Sequence, residues 1–271
     1  MPNPRSRAVK AYRNEPFLNS SHARALRILA EYLEPLTRFR ELRIRDTIVM
    51  FGSARFVARD EAASRVAAAE RGEGDPAAAR RALAMSRYYE ETRELAARLT
   101  TWSKGLEGTD RRFVICSGGG PGVMEAANRG ASEAKGENIG LNISLPFEQD
   151  ENPYITHKLA FEFHYFFMRK YWFAYLAKAF IIMPGGFGTM DEFMEILTLI
   201  QTDKLKKKCA LVLYGQEYWD SVLDFDAFVA HGVVDRADLD LFHRSDSVQD
   251  TFDYVTAFLT EHFLEKGDGN G

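Results

Sequence analysis

A carboxylate, a hydroxyl and a run of glycines stand close together in Pro184-Gly185-Gly186-Phe187-Gly188-Thr189-Met190-Asp191-Glu192. Ala179 to Met183, just before, is a short apolar run of strand length. Pro184 cannot donate a ladder hydrogen bond and ends that strand. Gly185, Gly186 and Gly188 leave the backbone open to a ligand. Thr189 sits three residues before Glu192, the spacing of a capping box. The helix that continues through Ile200 points its free N–H groups and positive dipole end at the glycine turn. That chemistry suits an anion, and a phosphate above all.

Two further turns have the same character. Thr47 to Phe51 is a core strand ending in the small residues Gly52-Ser53-Ala54-Arg55. Phe113 to Cys116 is a strand that turns through Ser117-Gly118-Gly119-Gly120-Pro121-Gly122 into a helix over Val123–Lys135. Such turns gather at the carboxyl ends of strands in a parallel sheet, so three of them together predict a nucleotide-sized site. Close strand–helix packing is the other account of each glycine turn.

Around these turns strands and helices alternate, which predicts an α/β, Rossmann-like, doubly wound and mainly parallel sheet with helices on both faces. Ser20 or Ser21 caps a helix running to about Arg40, with Leu26, Leu29, Leu33 and Leu36 on one face. Residues 58–74 read as an insertion or exposed helix, and Asp75-Pro76 as the start of a helix to about Trp102 with Met85, Tyr88, Tyr89, Leu95 and Leu99 inside. Ile139–Ile143 and Ala210–Tyr214 are strands, and Ser144–Lys158 is a long loop. The aromatic stretch Phe161–Lys178 reads as one helix, buried on the sheet and against another subunit. Helices around Tyr218–Val229 and Val248–Leu264 close the chain. The expected divisions are an N-terminal arm and helical extension over 1–43, a nucleotide-binding catalytic domain over 44–265, and a frayed tail over 266–271.

Composition narrows the function classes. The 271 residues are 46% hydrophobic and 27% charged, as in soluble globular chains, and the net charge of −4 argues against nucleic-acid and membrane surfaces. No apolar run reaches membrane-spanning length and the N-terminus lacks a signal-peptide core, so a cytoplasmic protein is expected. Cys116 and Cys209 lie in apolar runs and read as buried thiols. A dinucleotide fingerprint would need glycine at 123 or 191, which are Val and Asp. There is no P-loop and no H-E-x-x-H.

Pro184-Gly185-Gly186-Phe187-Gly188-Thr189-Met190-Asp191-Glu192 resembles the P-G-G-x-G-T-x-x-E motif of the LOG ("Lonely Guy") family. Met168-Arg169-Lys170 is similar to its upstream Arg-Lys pair. Phe51-Gly52-Ser53 and Ser117 through Glu125 resemble its other nucleotide-site segments. The likeness covers roughly residues 44–230. It implies a phosphoribohydrolase that needs no metal or organic cofactor and releases free base and ribose 5-phosphate from a nucleoside 5′-monophosphate, AMP or a cytokinin riboside monophosphate. Such proteins have often been labelled lysine decarboxylases, but nothing in this sequence marks a pyridoxal phosphate lysine.

Carried onto this chain, the resemblance makes Glu192 the carboxylate that stabilises an oxocarbenium-like ribose or positions water. Arg169 would orient that carboxylate or bind phosphate. Gly52, Ser53, Gly118, Gly119, Gly120, Met168, Lys170, Pro184, Gly185, Gly186, Gly188 and Thr189 would hold the substrate. Structural accounts stand beside these. Glu192 closes a capping box with Thr189, Arg169 pairs with Glu162 or Glu192, and Lys170 is a solvated helix-edge charge. The N-terminal extension, the 58–74 segment, the Ser144–Lys158 loop and the aromatic stretch depart from short family members. They are expected to border the base pocket and a homodimer or larger homo-oligomer interface. The rival function is a nucleotide or phosphorylated-ligand binder without turnover; a DNA-processing role fits the acidic balance poorly.

Overall fold

All five residues of Thr47–Phe51 (β1) are buried, as an unbroken apolar run demands of a central parallel strand. The computed structural model describes residues 8–144 and 151–264. Before β1 come the short helix Glu15–Leu18 (α1) and the longer Arg24–Glu41 (α2). After it follow Arg59–Glu70 (α3), Pro76–Lys104 (α4), Val114–Ser117 (β2), Val123–Glu133 (α5), Asn138–Ile143 (β3) and Ala160–Phe163 (β4). Then come Phe166–Leu176 (α6), Ala177–Ile182 (β5), Phe187–Gln201 (α7), Ala210–Tyr214 (β6), Gln216–Val222 (α8), Phe225–Ala230 (α9), His243–Ser245 (β7) and Val248–Phe263 (α10).

The strands form a seven-stranded sheet in the order β4-β3-β2-β1-β5-β6-β7, and every pairing is parallel. The chain winds outward from β1 through β2, β3 and β4, then returns to β5 and winds the other way. The order therefore switches between β1 and β5, where open sheets leave a crevice at their carboxyl ends. Alternate residues serve two cores. Val49, Phe51, Phe180 and Ile182 pack under α2, α6 and α7. Ile48, Met50, Ala179 and Ile181 pack under α4, α5 and α10. This is the expected α/β, doubly wound fold.

The helix boundaries carry their own logic. Asp75 accepts from the Ala77 amide and Pro76 stands in the first turn of α4, as expected. Tyr88, Tyr89, Leu95 and Leu99 are buried along it. Residues 59–70 are indeed an exposed helix, lying against α4 with Ala62 buried. Ser20 does not cap α2, which begins at Arg24 after a short 3-10 turn and has Ala23 in the cap position. Pro35 lies inside α2. A proline has no amide to offer the carbonyl four residues back, and that carbonyl, Glu31 O, instead accepts from Trp172 Nε1 of α6 at 2.9 Å. The Glu31 carboxylate accepts from the His164 and Tyr165 amides just ahead of α6. One turn of α2 thus fixes the position of α6.

Two expectations need correction. Phe161–Lys178 is not one helix but β4, α6 and the start of β5. The alternation of Phe161, Phe163 and Tyr165, all buried, is a strand period concealed by the aromatic run. Within the one chain Met168, Trp172 and Phe173 of this stretch are buried on the sheet, while Phe166, Phe167, Tyr171 and Tyr175 are exposed, the side that was expected to meet another subunit. On α2 the core is touched by Ile28, Tyr32, Leu36 and Phe39, while Leu26, Leu29 and Leu33 are about half exposed, at 50%, 49% and 47%. The frayed tail and the middle of the Ser144–Lys158 loop lie outside the described residues. Among the described residues no helix is long and apolar enough to cross a membrane.

Candidate active site

The loops after β1, β2 and β5 are sewn together by backbone. The Met183 amide donates to Phe51 O and the Ser53 amide to Pro184 O, at 2.8 and 3.0 Å. Val123 N, opening α5, donates to Ser53 O at 3.0 Å. These bonds set the floor of a cleft of about 620 Å³ at the switch point.

One wall is the turn into α7. Gly186 occupies the cap position and no side chain caps the helix. The Met190 amide reaches back to Gly186 O, so the amides of Phe187, Gly188 and Thr189 come before the first intrahelical bond. A side chain at Gly186 or Gly188 would meet nothing in the protein; both positions face open space along the cleft. Tyr218 Oη donates to Gly185 O at 2.8 Å and steadies the turn from α8. The expected capping box is absent, because α7 begins at Phe187, ahead of Thr189. Thr189 Oγ1 packs instead against Gly185. Glu192 is therefore free of a capping role: it is 7% exposed and lines the cleft. Burial pushes its carboxyl up to about 7, with Lys170 and Arg169 opposing and Glu195 and Asp191 adding to the rise.

The other wall comes from β2, β3 and α6. Arg169 donates from Nε to Leu141 O at 2.7 Å and from Nη2 to Gly118 O at 3.4 Å. Burial lowers its pKa, and Glu192 is the foremost group pulling the other way. Among the described residues no ion pair within 4.0 Å joins Arg169 to Glu192 or Glu162. The guanidinium is thus a clamp on two strand ends that also lines the cleft. A Cβ on Gly118 would strike Arg169 Nη2, and one on Gly122, whose φ is +73°, would strike the backbone of Ser53 and Ala54. Behind this turn Asn128 accepts from Ser117 Oγ at 2.6 Å and from Asn152 Nδ2 at 3.0 Å. Asn152 also donates to Gly119 O and Gly120 O.

Of the residues singled out from sequence, Gly52, Ser53, Gly118, Gly120, Arg169, Gly185, Gly186, Gly188, Thr189 and Glu192 line the cleft. Four are not among its lining residues. Gly119 is packed against Asn142, and Pro184 gives its carbonyl to Ser53. Met168 is in the core. Lys170 turns to α7, its Nζ 2.8 Å from Asp191 Oδ2 and 2.9 Å from Glu195 Oε2. Residues not anticipated at the cleft include Phe56, Asn142, Ile143 and Tyr218, while Met124 and Phe166 come from stretches expected to border it. For Asn142 a signal was present: a polar residue near the carboxyl end of an apolar strand. Cys116 is buried and Cys209 partly so, and burial raises both thiols.

Comparison with known proteins agrees with the motifs. Residues 124–255 match the family described as "Possible lysine decarboxylase". Among the described residues no lysine lines the cleft. The rice protein "Probable cytokinin riboside 5'-monophosphate phosphoribohydrolase LOG4" is 28% identical over 162 residues, 58% of this chain and 69% of that one. The cytokinin riboside 5'-monophosphate phosphoribohydrolase of Rhodococcoides fascians is 30% identical over 45% of this chain and 60% of its own. The pyrimidine/purine nucleotide 5'-monophosphate nucleosidase of Escherichia coli K12 is 29% identical over 47% of this chain, the match spanning 30% of that relative's length. Among solved structures, the molybdenum cofactor carrier of Chlamydomonas reinhardtii aligns over 80% of this chain and 99% of its own at 18% identity and a TM-score of 0.48. On the sequence matches, the chain is similar over about half its length to proteins of the LOG type, in keeping with its motifs.

Proposed function

We propose that this protein hydrolyses the N-glycosidic bond of a nucleoside 5′-monophosphate, of the AMP or cytokinin riboside monophosphate type, to free base and ribose 5-phosphate. The observation that carries the reading is the joint placement of two features on α7. Uncapped amides open the helix and a buried carboxylate follows about one turn later, both on the same cleft. At 1.5 Å of rise per residue, Glu192 lies roughly 6–7 Å along the axis from the first amides. That is the scale separating a 5′-phosphate from the anomeric carbon.

In this reading the amides of Phe187, Gly188 and Thr189 hold the phosphate, helped by the Thr189 hydroxyl, the Ser53 loop and the positive end of the helix. Positive charge grows on the ribose as the base departs, and the ionised Glu192 carboxylate stabilises it. The same carboxylate takes a proton from the attacking water, a task suited to a group that titrates near neutrality. Arg169 keeps the ends of β2 and β3 in place and supplies a fixed cation beside Glu192. The apolar walls from Met124, Ile143, Phe166 and Met190 suit a purine face.

The protein acts as a homo-oligomer in this reading. Leu26, Leu29 and Leu33 of α2 and Phe166, Phe167, Tyr171 and Tyr175 of α6 are exposed apolar side chains on two helices that pack together. Half of each aromatic's ~200 Å², with the leucines, approaches the roughly 800 Å² one partner contributes to a standard interface. A second copy is the occupant we favour, and Leu29→Glu with Leu33→Glu should shift the mass by light scattering toward monomer. A cytoplasmic setting accords with two unpaired cysteines.

The deciding experiment incubates the protein with AMP, GMP, CMP, UMP and isopentenyladenosine monophosphate and follows free base by chromatography. Release of base with ribose 5-phosphate supports the reading and ranks the substrates. Tight binding in calorimetry with no release from any of them sinks it in favour of a non-catalytic binder.

A further inference from the structure

Arg169 and Lys170 are adjacent in the chain but point to different partners. Arg169 reaches back to the strand ends at Leu141 and Gly118. Lys170 reaches forward to α7, where its side chain, only 18% exposed, bridges Asp191 and Glu195. Those two carboxylates are four residues apart and so lie one above the other on the helix. Glu192 sits between them in sequence and, like Asp191, lines the cleft. The bridge therefore straddles the turn of α7 that carries the proposed catalytic carboxylate.

We infer that Lys170 is a positioning residue: it ties α6 to this turn of α7 and neutralises the two carboxylates that flank Glu192. Its weight is electrostatic more than stabilising. Asp191 and Glu195 are 59% and 38% exposed, and ion pairs with partners that open to water contribute little to folding. Glu192 is different, because it is buried and feels each neighbouring charge more strongly. The charges that face it are Lys170 and Arg169 from α6 and Asp191 and Glu195 from its own helix. Lys170 is the foremost of the groups holding the carboxyl down against burial. Without it, Glu192 would lose one cation and face two acids with no counter-charge, and both changes favour its protonated form.

This inference rests on the hydrolase reading only for its consequence in turnover, and the test separates the two. Glutamate-labelled protein carries carbon-13 at the side-chain carboxyls, and the Glu192 resonance is assigned by its loss in Glu192→Gln. Its titration is then followed in wild type, Lys170→Met, Lys170→Gln and Lys170→Arg. Removing the charge should raise the Glu192 midpoint by about one unit or more, whereas Lys170→Arg should stay near wild type. The acidic limb of kcat/KM should move to higher pH in Lys170→Met and Lys170→Gln, with activity recovering in alkali. A purely structural role would lower rates evenly across pH and leave the limb in place. An unmoved midpoint in a folded Lys170→Met or Lys170→Gln overturns the inference even if base release is found. A raised midpoint in a protein that releases no base supports the positioning role and overturns only the hydrolase reading.

Discussion

The turns after β2 and β5 look alike as sequence, since each is a run of glycines between a buried strand and a helix. Their surroundings are opposite. In the turn after β2 the protein itself fills the space that missing side chains leave: Arg169 at Gly118, Asn142 at Gly119, and the Ser53–Ala54 backbone at Gly122. An asparagine network behind it accounts for its carbonyls. In the turn after β5 Gly186 and Gly188 meet nothing, and the helix that follows has no side-chain cap. The first turn is largely filled in holding Arg169 and the β1 loop, with Gly118 and Gly120 still on the cleft, whereas in the second Gly185 packs against Thr189 and Gly186 and Gly188 face open space. A glycine run thus has two meanings, and what occupies the vacant volume tells them apart.

The largest expected effect separates chemistry from scaffold on the open side. Glu192→Gln should lower turnover by on the order of 10²–10⁴-fold while nucleotide binding by calorimetry persists; equal activity would remove Glu192 from the chemistry. On the packed side, Gly122→Ala should cost roughly 2–4 kcal/mol in urea unfolding, because a left-handed residue gains a Cβ against backbone. A neutral result there would erase the distinction between the turns.

Burying Glu192 also has a pH signature. Its folded pKa of about 7 lies above its ordinary 4.5, so its contribution is fully present below the unfolded value and is lost as pH rises through 7. Wild type should lose on the order of 2–3 kcal/mol relative to Glu192→Gln between pH 4.5 and 8. Parallel stability curves for the two proteins would contradict this. The smallest effect on stability belongs to Gly188→Ala. It should change unfolding by less than ~1 kcal/mol, yet weaken phosphate binding on the order of tenfold as a methyl enters the cleft.

Strands β1, β2, β3, β5 and β6 were legible because a strand buried on both faces is an apolar run whatever its neighbours. β4 and β7 were not. They are edge strands, one inside an aromatic run that imitates a helix and the other the polar triplet His243-Arg244-Ser245. At the cleft, the residues of the α7 turn could be named from the sequence because they are contiguous. Asn142, Ile143 and Tyr218 come from separate elements that only the fold brings together.

The sequence alone determined the doubly wound sheet, the phosphate-suited turn and Glu192 beside it. Each of these depends on local matters: apolar periodicity, missing side chains and a strand, turn and helix that follow one another directly in the chain. The tertiary structure decided how each charge is used. It placed Glu192 in the cleft instead of a capping box and directed Arg169 to the carbonyls of Leu141 and Gly118. It drew Lys170 away to Asp191 and Glu195. A side chain's partner and its burial depend on packing between elements distant in the chain, and with them go its protonation and its role.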